Sequence, residues 1–566
     1  MRDKKLRTFE ILGVLALIAS FIAISGCQPG APAPGDSISE TVPPAAEVIT
    51  ADTLRAHVAR LAGDEMAGRA PGTEGARLAR QYLADTMAGL GLEPAFAGEW
   101  EQLYDLVSIT SEVPKTWRFT GSAEDLELSY WDDYIAGSGI QSAVSEIEAA
   151  DLVFVGYGIQ APEFDWDDFK GAELNGKILL MLNNDPEWDE NLFAGDRRLY
   201  YGRWDYKYES AARQGATGAI IIHTTPSAGY PWQVVQASWT GPQFELPAGD
   251  EPRVEIAAWI TDEAAQRIAA RAGENLDELI AAARSRDFRP VDLGIGTSLT
   301  LANTLETVAG GNVGGILEGS DPQLKHEVVV YSAHHDHFGI GEPNEEGDAI
   351  YNGALDNASG SAAVLTIAEA FAGLSQAPAR SLLFLFVDGE EQGLLGSEYY
   401  ALHPTFEPGR IAANINIDGA NIWGKTSDVG YIGYGKSSLD AVVEEAAGRQ
   451  GRSVKGDQFP DRGHFYRSDQ FNFAKIGVPA IYLANGVDFI GRPPEWGKEQ
   501  VEAWEAIHYH QPSDQLEESW NFDGFVDDTL LNFHSGRIIA ESPELPAWNP
   551  GDEFEAARLE ALAALE

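Results

Sequence analysis

Cysteine is nearly absent: Cys27 is the single one in 566 residues. That excludes an internal disulfide framework and any metal site built on several thiolates. Basic residues are scarce as well, 39 against 88 acidic ones, which leaves a formal charge of −49. The imbalance argues strongly against nucleic acid as a partner, because phosphate binding needs clustered Lys and Arg. The acid excess reads instead as a solubility device. Long apolar runs are missing too. The one that exists, Ile11 to Ile24, is too short for an ordinary membrane span, and neither a second run nor an internal repeat follows. What is present is an ordinary folded composition, 44% hydrophobic and 22% charged. A chain of this length is expected to hold more than one domain.

The apolar run follows Arg2, Lys4, Lys5 and Arg7 and ends in Ile24-Ser25-Gly26-Cys27. A basic start and a short apolar core describe an export signal. Its end resembles the bacterial lipoprotein lipobox, which implies a signal peptide over 1–27 and a lipid on Cys27, the expected tie to the membrane. By the same resemblance, Gln28 after the cysteine favours the outer membrane of the cell envelope, on either face. Residues 28–46, rich in Pro, Ala and Ser, read as a flexible linker.

Folded sequence begins near residue 47. Leu54, Val58 and Leu61 have helical spacing, as do Ala79, Tyr82, Leu83 and Met87. Residues 136–295 read as a separate inserted unit, with buried strands at 151–158, 176–182 and 215–222 and a helix near 208–214. That order resembles the protease-associated domain, which implies a β-rich insertion. Strands and helices alternate over 296–545, with strands at 327–332, 381–387, 411–417 and 478–483 and a helix over 360–374. The alternation predicts an α/β fold, a mostly parallel mixed sheet flanked by helices. Residues 546–566 form a C-terminal tail or helix.

The chemistry-bearing residues gather after those strands, where open α/β sheets collect ligands. His334 and Asp336 sit two apart at a strand end, so both face one side, with Asp336 placed to orient the imidazole and His335 and His337 pointing away. Asp356 lies between a turn and a helix and suits a carboxylate that bridges two cations. Glu390 and Glu391 can divide the work, one activating water and one binding metal. Asp418 offers a further oxygen, and His510 closes the set from a loop. Two imidazoles and three carboxylates suit zinc. His335, His337, His403, His464 and His508 are read as structural or surface residues, His337 and His464 lying nearest the motifs.

These motifs resemble the M28 family of zinc aminopeptidases, in the branch with a protease-associated insertion. The likeness extends to Leu61–Thr73, to Arg467-Ser468-Asp469-Gln470-Phe471 and to Gly477-Val478-Pro479-Ala480. It implies that 47–135 and 296–545 together form the peptidase. It implies two Zn2+ per chain, one on His334 and Asp418, the other on Glu391 and His510, with Asp356 between them. Glu390 would be the general base, Asp336 would orient His334, and Tyr466 would polarise the scissile carbonyl. Gln470 departs from the family, in which many members have His. The implied substrates are peptides with a free N-terminus. A carboxypeptidase or dipeptidase on the same cage, a mono-zinc glutaminyl cyclase and a non-catalytic scaffold are the alternatives.

Overall fold

The computed structural model describes residues 43–566 apart from 122–123, 190 and 566. The signal segment, Cys27 and nearly all of the 28–46 linker therefore lie outside the described residues. No described helix is long and apolar enough to cross a membrane.

Four parallel strands form the floor of the C-terminal half. Val328–His334 lies between Ser381–Val387 and Ile411–Asn416, and Ala480–Ala484 follows on the far side of Ile411–Asn416. Asp428–Ile432 continues the sheet antiparallel to Ala480–Ala484. The first three of these strands are buried at every residue, as strands covered on both faces must be, and their sequences run apolar rather than alternating. One face is covered by the helix Ser359–Ala372, buried almost all round. The helix Ala51–Leu61 packs on it through Leu54, Val58 and Leu61, and starts where the Thr50 side chain accepts the Thr53 N–H. The sheet is thus mixed, mostly parallel and flanked by helices, as its sequence predicts.

A second set of parallel strands occupies the inserted unit. Val144–Phe154, Ile178–Leu182, Gly218–His223 and Ile256–Thr261 pair in that order, with one row running Val153, Leu179, Ala219, Ala257. Tyr134–Ser138 closes the edge antiparallel. The helices Trp204–Arg213 and Asp262–Ala272 accompany these strands.

The two sets share one strand. Val291–Leu317 runs 27 residues. Its first part pairs with Val144–Phe154, its middle with Glu101–Glu112 and its end with Ser381–Val387. The expected boundary at 295/296 falls inside this strand and the one at 135/136 inside Tyr134–Ser138, and Pro43–Glu566 forms one compact unit.

Candidate metal centre

The parallel strands end at a common edge, and the turns beyond them carry the ionisable groups. His334 is the last residue of its strand, and Asp418 follows Ile411–Asn416 by two residues. Glu390 and Glu391 open a short 3-10 turn, entered through Gly389 at φ +74°. The Asp336 carboxylate holds that turn, accepting the Glu390 N–H at 3.1 Å and the Glu391 N–H at 3.4 Å. Its own backbone carbonyl meets His334 Nδ1 at 3.3 Å. Asp336 therefore orients both the imidazole and the glutamate pair. Asp514 does the same for the next loop, accepting the N–H groups of Leu355 at 2.8 Å and Asp356 at 3.0 Å.

Asp356 sits at the centre of the cluster. Its Oδ1 is 3.2 Å from His334 Nε2 and its Oδ2 is 3.2 Å from His510 Nε2. His334 Nε2 also lies 3.3 Å from Asp418 Oδ1, and His510 Nε2 lies 3.1 Å from Glu391 Oε2. The other Asp418 oxygen accepts a hydrogen bond from the Ser468 hydroxyl at 2.6 Å. His510 has φ +56°, a strained setting for a residue with a Cβ, and its Nδ1 meets Ser238 Oγ of the inserted unit at 2.8 Å.

The adjacent glutamates titrate in opposite directions. Burial, reinforced by the Asp418 and Glu391 charges, pushes Glu390 well above the usual carboxylate range, against the pull of His334. Burial and Asp356 would raise Glu391 as well, but His510 and His337 bring it down to about 2. Burial opposes a proton on His334, yet Glu390 and Asp418 hold its pKa well above the usual imidazole value. His510 rises to about 9, since Glu391 and Asp356 outweigh its burial.

His334, Asp356, Glu391, Asp418 and His510 are thus brought together, with Glu390 and Asp336 beside them. Tyr466 is not. It ends the short turn His464–Tyr466 among aromatic residues, and its hydroxyl donates to Glu553 at 2.8 Å. His337 corrects the expectation that it points away. The strand ends at His334, so strand alternation does not reach residue 337, and His337 Nδ1 contacts Glu391 Oε1. Gly353, at φ +56°, makes room, since a Cβ there would lie 2.6 Å from the His337 ring. Ser238, Ser468 and Asp514 also escaped the sequence reading. Ser468 stands inside a quoted motif and Asp514 four residues after His510, whereas Ser238 lies 272 residues from His510 and carries no local signal.

Two cavities meet at this cluster. One of about 210 Å³ has mainly apolar walls, including Leu355, Trp423, Ile432, Phe459, Leu483 and Trp504. The other, about 550 Å³, lies where Trp204, Tyr230 and Trp239 of the inserted unit face Glu391 and His510. Glu390, Arg467 and Tyr509 line both.

The donor set fits zinc. Candidate ligand atoms of His334, Asp356 and Asp418 lie within 4.8 Å of one another, as do those of His337, Asp356 and Glu391. Imidazole nitrogen and carboxylate oxygen in this mixture suit that ion.

Residues 312–533, which carry all of the carboxylates and imidazoles of the cluster, match the model of peptidase family M28. Leupeptin-inactivating enzyme 1 of Streptomyces exfoliatus is 28% identical over 217 residues, covering 37% of this chain and 46% of that protein. Aminopeptidase YwaD of Bacillus subtilis is 29% identical over 198 residues, covering 34% of this chain and 37% of its own. The chain thus spans less than half the length of these curated relatives. The solved aminopeptidase from Aneurinibacillus sp. strain AM-1 shares the fold, with a TM-score of 0.53 at 20% identity over 90% of this chain and 98% of that one. Residues 312–533 are thus peptidase-M28-like, and the chain has the fold of a solved aminopeptidase.

Proposed function

We propose that the protein is a zinc-dependent aminopeptidase that removes N-terminal residues from peptides. The observation that carries this reading is Asp356, one carboxylate whose two oxygens each face a different imidazole at 3.2 Å. That is the arrangement of a group shared between two metal positions. His334 and Asp418 would hold one Zn2+ and Glu391 and His510 the other, with Asp356 common to both and His337 standing against Glu391. Zinc bound there would supply acidified water and a polarised carbonyl.

The chain's own residues do the rest. Glu390 takes a proton from the attacking water and returns it to the leaving amine. Asp336 keeps it in place through the two backbone N–H groups. The small apolar cavity accepts one side chain beside the cluster, and the larger one accepts the remainder of the peptide. A ring of carboxylates at their junction attracts a substrate ammonium and repels a substrate carboxylate, which favours the N-terminal end. We propose further that the mature chain is exported and held to the cell envelope by a lipid on Cys27, with 28–46 as tether. Unchanged membrane association of Cys27→Ser would remove that anchor.

Mass spectrometry of an unblocked peptide, its N-acetylated twin and a Glu390→Gln variant tests the activity. A ladder shortened from the N-terminus is expected for the unblocked peptide alone. Glu390→Gln should retain zinc and lose at least about a hundredfold in kcat. Loss from the C-terminus would replace the reading by a carboxypeptidase, ring closure of an N-terminal Gln by a cyclase, and an intact peptide by a binding role.

A further inference from the structure

Three polar side chains lie fully buried on two otherwise apolar strands of the sheet floor. Asn414 and Asn416 share one face of Ile411–Asn416, and Ser332 stands opposite Asn416 in the neighbouring strand Val328–His334. A polar group is costly to bury unless its hydrogen bonds are made, so such a row calls for a reason. Ser332 and Asn416 each stand two residues before a candidate zinc ligand, His334 and Asp418. The hydrogen bonds run toward the second of these. Asn414 Nδ2 donates to Ser332 Oγ at 2.9 Å, and the Ser332 hydroxyl donates to Asn416 Oδ1 at 2.7 Å. Asn416 Nδ2 then donates to Ser468 Oγ at 2.7 Å, and the single hydroxyl proton of Ser468 goes to Asp418 Oδ2.

The direction of that chain depends on Gln470. It is fully buried at the start of the helix Gln470–Lys475. Its Oε1 accepts an N–H of Asn416 Nδ2 at 3.0 Å, and its Nε2 donates to the Phe465 carbonyl at 2.8 Å. A carbonyl only accepts, so Phe465 fixes which end of the Gln470 amide faces Asn416. Gln470 fixes the Asn416 amide in turn, since a turned-over Asn416 would set oxygen against oxygen. Ser332 exerts no such control, because a hydroxyl donates or accepts as required. With Asn416 turned over, Ser468 would donate to it and leave Asp418 Oδ2 free. We propose that Gln470 is a positioning residue: through Asn416 it commits the Ser468 proton to Asp418 Oδ2 and leaves Oδ1, the oxygen 3.3 Å from His334, for a zinc ion. This rests on the reading of His334 and Asp418 as zinc ligands. Among the described residues these hydrogen bonds reach Asp418 and neither Glu391 nor His510, so the effect belongs to one of the two metal positions.

The test uses the full-length protein and reads zinc by chelator competition, which resolves successive ions, and cobalt(II) by its visible absorption. Gln470→Met keeps the length of the side chain and removes the amide. It is expected to lose about 10- to 100-fold in affinity for one ion, with the other within about threefold, and to change the cobalt spectrum. A neutral imidazole offers one acceptor and one donor, as the amide does, so Gln470→His in mildly alkaline buffer should restore affinity to within about threefold. Ser468→Ala should lose as much as Gln470→Met, and combining the two should cost less than about a further threefold, because both act through one proton. Wild-type affinity for both ions in folded Gln470→Met would overturn the inference. So would losses that multiply in the double variant, which would make Gln470 a packing residue, or equal weakening of both ions. If Gln470→Met does not fold, Gln470→Leu and Asn416→Ala are read by the same criteria. A wild type that binds no zinc brings down the zinc reading and this inference together. One that binds zinc but cleaves no peptide brings down the peptidase reading alone, and the affinity comparison still decides the inference.

Discussion

At the scale of single residues, the second partner of each imidazole matters as much as the first. His510 has its Nε2 toward Asp356 and Glu391, and its ring is held at the far side by Ser238 at 2.8 Å. Such partners fix ring orientation and tautomer, and their loss commonly lowers metal affinity by about 10- to 100-fold. Ser238→Ala is accordingly expected to weaken zinc binding by about that factor in a chelator competition, with Ser238→Thr restoring most of it. Equal zinc affinity in wild type and Ser238→Ala would show that the hydroxyl does not position the ring. The contrast between Ser238 and Asp418 also explains what the sequence discloses. Asp418, Glu390 and Glu391 stand just past apolar strands, so their place at the sheet edge can be inferred from local pattern. Ser238 reaches the site by tertiary folding alone. His337 failed for a different reason, because alternation was extended past the point where the strand stops.

At the scale of elements, two segments that approach the site are tied down by one buried arginine. Arg69 sits at φ +52° after Gly68 and donates to four carbonyls: Leu61 at 2.7 Å, Asn352 at 2.6 Å, His335 at 2.8 Å and Gly353 at 3.0 Å. Two of these acceptors introduce the Asp356 loop, and a third lies between His334 and Asp336. Burial lowers the Arg69 pKa only to about 10, so the side chain stays charged at neutral pH. The motif 61–73, legible in the sequence only as a family likeness, thus has a mechanical role in bracing the site. Arg69→Met would leave four buried carbonyls short of a donor, at a cost of about 3–5 kcal/mol. The urea midpoint should fall accordingly, and zinc affinity with it. A variant with wild-type stability would show that water or a neighbouring N–H replaces the guanidinium.

At the scale of the molecule, the inserted unit and the C-terminal half are built on one strand. Val291–Leu317 shows clean alternation at Leu293, Ile295, Thr297, Leu299 and Leu301, but its last part is buried throughout 310–315. There the sequence is Gly310-Gly311-Asn312-Val313-Gly314-Gly315, which reads locally as a turn. It is a strand because it pairs with Glu101–Glu112 and Ser381–Val387, and it takes glycines because packing against Leu103, Arg80, Ala95 and Met87 leaves no room for a Cβ at 311, 314 and 315. Pattern reading therefore finds the strands of each half and misses the element that joins them. The union ties the stability of the insertion to the candidate metal centre, since Tyr230 and Ser238 both come from it. His223 exposes that link to pH. It ends the strand Gly218–His223, is buried among Tyr230, Trp232 and Trp259, and donates from Nε2 to the Tyr230 carbonyl at 3.0 Å. Burial lowers its pKa to about 4 against an ordinary value of 6.5. The unfolded chain therefore binds the proton first as pH falls, so stability is intact above pH 6.5 and is lost progressively between 6.5 and 4. At pH 5 the loss from this group is about 2 kcal/mol. His223→Gln, neutral and still able to donate to Tyr230, should flatten that part of the stability curve in denaturant titrations at pH 7 and pH 5. Parallel curves for the two proteins would place the acid sensitivity elsewhere, whereas a flatter one ties loosening of the Tyr230 wall, and with it the Arg467 contact, to a single imidazole outside the candidate metal centre.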